Sequence, residues 1–234
     1  FHGMADSICK RFGISKGSLA IDIGSNIGVL LEGFKKNWLR VLGIDPAANI
    51  AKMANKRGIE TWPEYFGPHL IKKVLSKKGK ASVITGTNVF AHVDNIDDIV
   101  KTVKELLVDD GIFVIEFPYL VDLVENLEYD TIYHEHLSYI SAEPLVKYFK
   151  NFGMEVFDIE KFKIHGGTIR VFVCKKNKKA ISKNVNKFLN MEEKKGIHSL
   201  KRLRKFENDV RKQKEELISL LLDLKKKGNK IAAI

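Results

Sequence analysis

The stretch that decides the fold is SLAIDIGSNIG, residues 18–28. Its first part, residues 18–23, is an apolar run of strand length, and glycines follow it directly. Residues 28–36 then show a helical pattern, and residues 41–45 form a second apolar run that ends in an acid. A strand, a glycine-containing loop, a helix and a second strand predict a βαβ unit with parallel strands.

The same alternation continues along the first two-thirds of the chain. The predicted elements are a helix over residues 47–57 with Gly58 as its C-cap, a short strand over 60–62, a strand over 81–86, a helix over 96–107 capped by Asp94 or Asn95, a turn at 109–111 and a strand over 112–116. Strands that alternate with helices predict a largely parallel sheet.

The pattern changes after a predicted helix over residues 142–152. Two apolar runs, residues 155–162 and 168–174, are separated only by the loop KIHGG. That loop has no room for a crossover helix, so the two runs should pair antiparallel. We therefore predict an α/β fold with a Rossmann-like, mostly parallel sheet that closes in an antiparallel hairpin. This is the topology of class I methyltransferases, whereas dehydrogenase sheets usually stay parallel.

From residue 181 to residue 227 the chain is helical in pattern and highly charged. An apolar seam runs through it at alternating steps of three and four: Leu203, Phe206, Val210, Gln213, Leu217, Leu220 and Leu224. This favours an amphipathic helix that packs on the domain or leads to a further one; a dimerising coiled coil is the alternative. We divide the chain into a methyltransferase domain, residues 1–177, and a helical extension, residues 178–234.

Composition limits the class of protein. Hydrophobic residues make up 44% of the 234 residues, enough for a folded core, and no run approaches the roughly 18 apolar residues of a membrane helix. The net charge of +11 lies in Lys pairs and the late helical region, so solvated helix faces explain it better than a nucleic-acid partner does. We expect Cys9 and Cys174 to be reduced and buried in a cytoplasmic protein. The oligomeric state is left open.

The glycine loop predicts a cofactor site. Glycines let the backbone approach a ligand, and Asp45, at the end of the second strand, can accept hydrogen bonds from ribose hydroxyls. The loop lacks the G-x-G-x-x-G pattern of dinucleotide enzymes, and Asp22 would repel a pyrophosphate but suit cationic groups. Trp62, Asn88 and Val89 follow strands whose ends usually border an adenine. The candidate cofactor-binding residues are Asp22, Gly24, Ser25, Asn26, Gly28, Asp45, Pro46, Trp62, Asn88 and Val89.

An acid–base cluster follows the fifth predicted strand. Tyr133, His134, Glu135 and His136 are consecutive, and His92, after the fourth strand, should reach the same edge of the sheet. His and Glu move protons near neutral pH, and Tyr can donate a hydrogen bond to a developing oxyanion. A polar loop with a capping Glu is the alternative. H-E-H lacks the spacing of H-E-x-x-H, and no Cys cluster accompanies it, so we expect no metal site.

These residues resemble a known family, the C-methyltransferases of nucleotide-linked keto-sugars. The similar strings are NVFAH (residues 88–92), DGIFVIEFPYL (110–120), YDTIYHEHLSY (129–139) and HGGTIR (165–170). The resemblance implies transfer of a methyl group from S-adenosylmethionine to a carbon next to a ketone. It also implies that the sugar, a small-molecule substrate, is carried on a nucleoside diphosphate, typically dTDP.

The resemblance also implies roles for particular residues. His92, Tyr133, Glu135 and His136 match the family's catalytic positions. His136, poised by Glu135, would remove the proton, and Tyr133 or His92 would stabilise the enolate. The hairpin loop contributes His165, Gly166 and Gly167 as candidate substrate-binding residues.

The sequence departs from the family pattern in three respects. Ile27 stands where the family loop usually has Asp, the family's N-terminal zinc module with four cysteines is lacking, and we expect its C-terminal domain to be missing after Ile234 as well. We therefore expect a fragment of a longer protein. Two alternatives remain at this point: a methyltransferase for another acceptor, such as RNA or a small metabolite, and a non-catalytic S-adenosylmethionine- or nucleotide-sugar-binding module.

Overall fold

The computed structural model describes residues 2–164 and 166–232. The strands are β1 (Leu19–Ile23), β2 (Arg40–Ile44), β3 (Thr61–Trp62), β4 (Ala81–Thr87), β5 (Leu107–Pro118), β6 (Met154–Phe162) and β7 (Thr168–Lys175). The helices are α1 (His2–Phe12), α2 (Val29–Lys36), α3 (Ala48–Lys56), α4 (Ile71–Lys77), α5 (Ile96–Leu106), α6 (Leu120–Asn126), α7 (Ala142–Asn151), α8 (Lys183–Lys195) and α9 (Leu200–Lys226).

Within these described ranges, seven strands form one sheet in the order β3-β2-β1-β4-β5-β7-β6. The strands from β3 to β5 are parallel, and β7 runs antiparallel to both of its neighbours, β5 and β6. Both the parallel sheet and its antiparallel hairpin were predicted from the sequence, and both are confirmed. The strand order reverses at β1, which lies between β2 and β4, so a crevice opens at the carboxyl ends of β1 and β4.

The predicted turn at residues 109–111 is wrong. These residues lie inside β5, which begins at Leu107. Its pairing with β4 shifts from Ala81↔Leu107 to Val83↔Ile112, so the extra residues form a bulge instead of ending the strand. Gly111 fits this close backbone approach, because a Cβ atom there would lie 3.1 Å from the Val108 carbonyl oxygen.

The core covers both faces of the sheet. Adjacent residues of β1 point to opposite sides, so that Ile21 joins one buried cluster and Ala20 the other. Helices α4, α5, α7 and α8 cover the first face, and α1, α2 and α3 cover the second. Cys9 and Cys174 both lie in the second cluster, buried and unpaired, as predicted.

The extension consists of two helices that differ in their packing. Helix α8 ends at Gly196, whose φ of 58° is left-handed, and it packs on β6 and α7. Helix α9 buries none of its residues, although Phe206 is half-buried against the core. Leu203, Leu217 and Leu220 of the α9 seam are exposed, so these side chains do not pack on the domain. That the helix leads to a further domain, or pairs as a coiled coil, stays a prediction. Among the described helices, none is long and apolar enough to cross a membrane.

Candidate active site

A cavity of about 1360 Å³ opens at the carboxyl edge of the sheet, between the loops that follow β1, β2 and β4. Its volume exceeds the roughly 300–1,000 Å³ typical of a site for one small molecule. Of the residues predicted to bind a cofactor, those that line it are Asp22, Gly24, Ser25, Asn26, Asp45, Pro46, Asn88 and Val89. His92 and Glu135 line the same cavity.

The glycine loop has the left-handed geometry that its sequence predicts. Gly24 has a φ of 64°, and a Cβ atom there would lie 2.7 Å from Val89 Cγ2. Gly28 has a φ of 81°, but it faces Ile59 rather than the cavity, and an added Cβ would lie 2.6 Å from Ile59 Cγ2. Gly24 therefore lets two loops meet at the cavity wall, while Gly28 lets the chain turn tightly into α2.

Asp45 holds the glycine loop in place. One of its carboxylate oxygens accepts a hydrogen bond from the backbone N–H of Asn26 at 2.9 Å, and the other accepts from Ala47 at 3.0 Å. Each oxygen keeps a second lone pair that can accept from a ligand. Asp45 is thus oriented by the protein and still able to bind hydroxyl groups.

Asp22 places a buried carboxyl group at the cavity wall. Burial raises the pKa of Asp22 to about 7, the hydrogen bond from Thr85 Oγ1 opposes this rise, and the charge of Asp45 adds to it. Nearby, Ser25 Oγ is buried without a hydrogen-bond partner among the described residues. The wall therefore carries a carboxyl group that a cation would ionise, whereas the Ser25 hydroxyl is buried against Gly43 of β2.

These features fit S-adenosylmethionine, the cofactor that the resemblance implies. Asp22 would hold its cationic amino end, and Asp45 would hold its ribose hydroxyls. The cavity is large enough for this cofactor and part of a second molecule. Ile27, where the family usually has Asp, also lines the cavity.

The aromatic residues that line the cavity were missed by the sequence reasoning. Trp62 is not among the lining residues; its ring nitrogen donates to Glu60 at 3.1 Å, and Lys73 Nζ lies 4.3 Å from its ring centroid. Tyr65 and Phe66 line the cavity instead. Their position just after β3 is the signal that would have identified them.

Two separate segments bring the acid–base cluster together. The His136 ring lies 4.9 Å from that of His92 and 4.3 Å from that of Tyr133, centroid to centroid. The backbone N–H of Leu137 donates to the Ala91 carbonyl at 2.7 Å and so fixes the second segment beside the first. The three predicted rings thus form one cluster, and its His92 faces the cofactor cavity.

The orientation of His136 differs from the prediction. Its Nδ1 lies 2.7 Å from the Thr131 carbonyl oxygen, which can only accept, so Nδ1 carries the proton in this contact. Nε2 of the neutral ring is then the basic nitrogen. The expectation that Glu135 poises His136 is therefore corrected: the carboxylate of Glu135 lies 3.9 Å from His134 Nε2 instead.

The hairpin glycines lie away from the cavity lining. An added Cβ at Gly166 would meet the carboxylate of Glu128, and one at Gly167 would meet that of Asp122. Asn126 also donates to the Gly166 carbonyl at 3.2 Å. His165, the third residue predicted to bind substrate, lies outside the described residues. Within residues 2–164 and 166–232, no three His, Cys, Asp or Glu side chains group in a way that could hold a metal ion.

Comparison with known proteins identifies the family. The family model described as "Methyltransferase domain" matches residues 1–159, and the one described as "C-methyltransferase C-terminal domain" matches residues 163–234. The expectation that the family's C-terminal domain is missing is therefore wrong, because residues 163–234, which include the helical extension, match its model. A "C-methyltransferase NovU" from Streptomyces niveus is 40% identical over 171 residues, which cover 73% of this chain and 41% of that protein. The chain thus spans about two-fifths of this relative's length.

Solved structures share the fold at low sequence identity. An S-adenosylmethionine-dependent methyltransferase from Clostridium acetobutylicum has a TM-score of 0.57 and 13% identity, covering 75% of this chain and 91% of that one. Magnesium protoporphyrin IX methyltransferase from Synechocystis, solved with bound S-adenosylmethionine, has a TM-score of 0.54 and 12% identity, covering 74% and 79%. The chain therefore belongs to the methyltransferase domain family, with the class I fold and S-adenosylmethionine as its cofactor.

Proposed function

We propose that this methyltransferase adds a methyl group to a carbon next to the ketone of a sugar carried on a nucleoside diphosphate. The observation that carries the proposal is the cluster of His92, Tyr133 and His136, in which His92 lines the cofactor cavity and His136 packs against it from behind the lining. Identity of 40% to a protein named as a C-methyltransferase supports the choice of carbon as the acceptor atom.

Carbon methylation needs a base and an oxyanion stabiliser, and the cluster offers both. The bound cofactor supplies an electrophilic methyl group. His136 Nε2 takes the proton from the carbon next to the ketone, and the electron pair left behind forms an enolate. Tyr133 O–H or a ring N–H of His92 donates a hydrogen bond to the enolate oxygen. The enolate carbon would then form the new carbon–carbon bond with the methyl group that the cofactor supplies, as the bond from that methyl group to sulfur breaks.

The charge of the cavity suggests which part of the substrate enters it. The lining residues include the acidic residues Asp22, Asp45, Asp94, Asp98 and Glu135, and none of the described lining residues is Lys or Arg. Such a wall repels phosphate and accepts neutral hydroxyls or cations. We infer that the keto-sugar ring enters the cavity and that the diphosphate stays outside it.

Hydrogen exchange at the carbon next to the ketone tests the proposed base. The chain is saturated with S-adenosylhomocysteine, which has no methyl group to give, and mixed in D₂O with a dTDP-linked keto-sugar. Wild type should incorporate deuterium at that carbon. His136→Ala should slow this exchange by about 10²–10⁴-fold. The matched control is His134→Ala, since His134 is 88% exposed, and it should exchange at the wild-type rate.

Two outcomes would contradict the proposal. Wild type that binds S-adenosylhomocysteine but exchanges no deuterium would favour another acceptor or a non-catalytic binding module. Equal rates in wild type and His136→Ala would remove His136 from the role of base.

A further inference from the structure

Glu192 of α8 is a fully buried carboxylate with three hydrogen-bond donors. The phenol of Tyr119 and the backbone N–H of Ala142 each donate to Oε1 at 2.6 Å, and the backbone N–H of Glu143 donates to Oε2 at 2.9 Å. Its exposed fraction is 0%. A buried charge is tolerated only when it is well paired or hydrogen-bonded, and these donors meet that need.

Two of these donors are the first backbone N–H groups of α7. A helix leaves such groups without partners inside the helix, and a nearby side chain usually accepts from them. Ser141 occupies the N-cap position but makes no capping bond; its hydroxyl lies 2.8 Å from His198 Nε2. The cap of α7 therefore comes from the extension, through Glu192.

Helix α7 directly follows the segment that carries the acid–base cluster. That segment returns to the sheet at Ile140, whose carbonyl accepts from the backbone N–H of Leu120 at 3.0 Å. Tyr119, which forms an isolated bridge with Ile140, also donates its phenol to Glu192. One carboxylate thus joins the end of β5, the start of α7 and helix α8, just beyond the segment holding Tyr133 and His136.

We propose that Glu192 is a positioning residue for the reaction proposed above: it fixes the C-terminal end of segment 129–141, so that His136 stays against His92 at the cavity. The helical extension is then part of the support of the active site. Because the inference rests on the proposed function, its test needs one readout that turnover does not affect.

The test compares Glu192→Gln with Glu193→Gln. Gln keeps one acceptor oxygen, but its NH₂ group faces backbone donors and cannot accept from them. The kcat of Glu192→Gln should fall by about 10- to 100-fold, the scale expected for a small misplacement of catalytic groups, with S-adenosylmethionine affinity unchanged. Glu193, exposed on the same helix, should tolerate the same change. Glu192→Asp, which keeps the charge, should recover part of the loss.

Hydrogen-exchange mass spectrometry supplies the readout that is independent of turnover. In Glu192→Gln, peptides from residues 129–141 should exchange faster, while peptides from β1 to β4 should keep wild-type protection. If wild type shows no transfer to a keto-sugar, the proposed function fails, and this exchange pattern still decides whether Glu192 fixes the segment.

Three results would overturn the inference. One is a kcat for Glu192→Gln within about twofold of wild type, far short of the loss expected from misplaced groups. Another is unchanged exchange of residues 129–141 in that variant. The third is a parallel loss of kcat, cofactor affinity and protection throughout the sheet, in both Glu192→Gln and Glu192→Asp, because it would indicate a general structural role.

Discussion

Asp22 is buried and also lines the cofactor cavity. Whether its carboxyl group is ionised therefore depends on whether a cationic ligand is bound. Burial raises its pKa from 3.8 to about 7. Between these pH values the folded protein retains a proton that the unfolded chain has released. Folding stability therefore falls as pH rises through this window, by up to about 1.4 kcal/mol per pH unit from this one group.

We predict that Asp22→Asn removes this dependence. Asn keeps an oxygen that accepts from Thr85 Oγ1 but cannot ionise, so the ligand-free variant should gain stability relative to wild type as pH rises from 5 to 8. Urea unfolding of both proteins at these two pH values measures the difference. A constant difference between the two proteins would show that the Asp22 carboxyl is ionised already at pH 5.

At the residue scale the sequence predicted which side chains lie together, whereas their roles stay a prediction. His92, Tyr133 and His136 were predicted as one cluster, and the structure brings their rings together. The Thr131 carbonyl that orients His136 was missed, because every residue has a carbonyl and no sequence pattern marks this one. Glu192 was also missed, since its donors lie on distant elements.

At the scale of the element, the turn from β1 into α2 depends on one glycine. Gly28 and Gly79 have nearly equal φ values, 81° and 82°. A Cβ atom at Gly28 would collide with Ile59 Cγ2 at 2.6 Å, whereas one at Gly79 would have no neighbour within 4 Å. The two positions therefore separate the cost of backbone conformation from the cost of packing.

We predict that Gly79→Ala lowers the free energy of unfolding by about 1–2 kcal/mol, the cost of a left-handed residue with a Cβ atom. Gly28→Ala should cost about 1–3 kcal/mol more, because the neighbouring core must also shift. Urea unfolding midpoints with equal m-values provide the comparison. Equal losses in the two variants would mean that Ile59 moves freely and that packing does not fix this turn.

Elements were predictable where hydrophobic periodicity and glycines agreed. The βαβ unit and the hairpin of β6 and β7 follow from run lengths and loop lengths alone. The start of β5 was missed because Asp109, Asp110 and Gly111 are typical of a turn, while pairing with β4 keeps them inside the strand as a bulge. Tertiary pairing here overrides the local preference.

At the scale of the whole molecule, the extension has two different parts. Helix α8 supplies a buried carboxylate to the domain, whereas α9 leaves Leu203, Leu217 and Leu220 exposed by 42–56%. The spacing of the apolar residues predicted the seam of α9. Periodicity shows only that an apolar face exists, however, and not what covers it. How the extension packs therefore required the structure.

The molecule as a whole places the acid–base cluster beside a cofactor cavity whose described lining residues include no Lys or Arg. The central claim that follows is that a carbon atom of the substrate receives the methyl group. The most direct test is the nuclear magnetic resonance spectrum of the product formed from methyl-carbon-13-labelled S-adenosylmethionine and a dTDP-linked keto-sugar. We predict a labelled methyl group bonded to the carbon next to the ketone; a labelled methyl on oxygen or nitrogen, or no transfer by a folded chain that binds the cofactor, would contradict it.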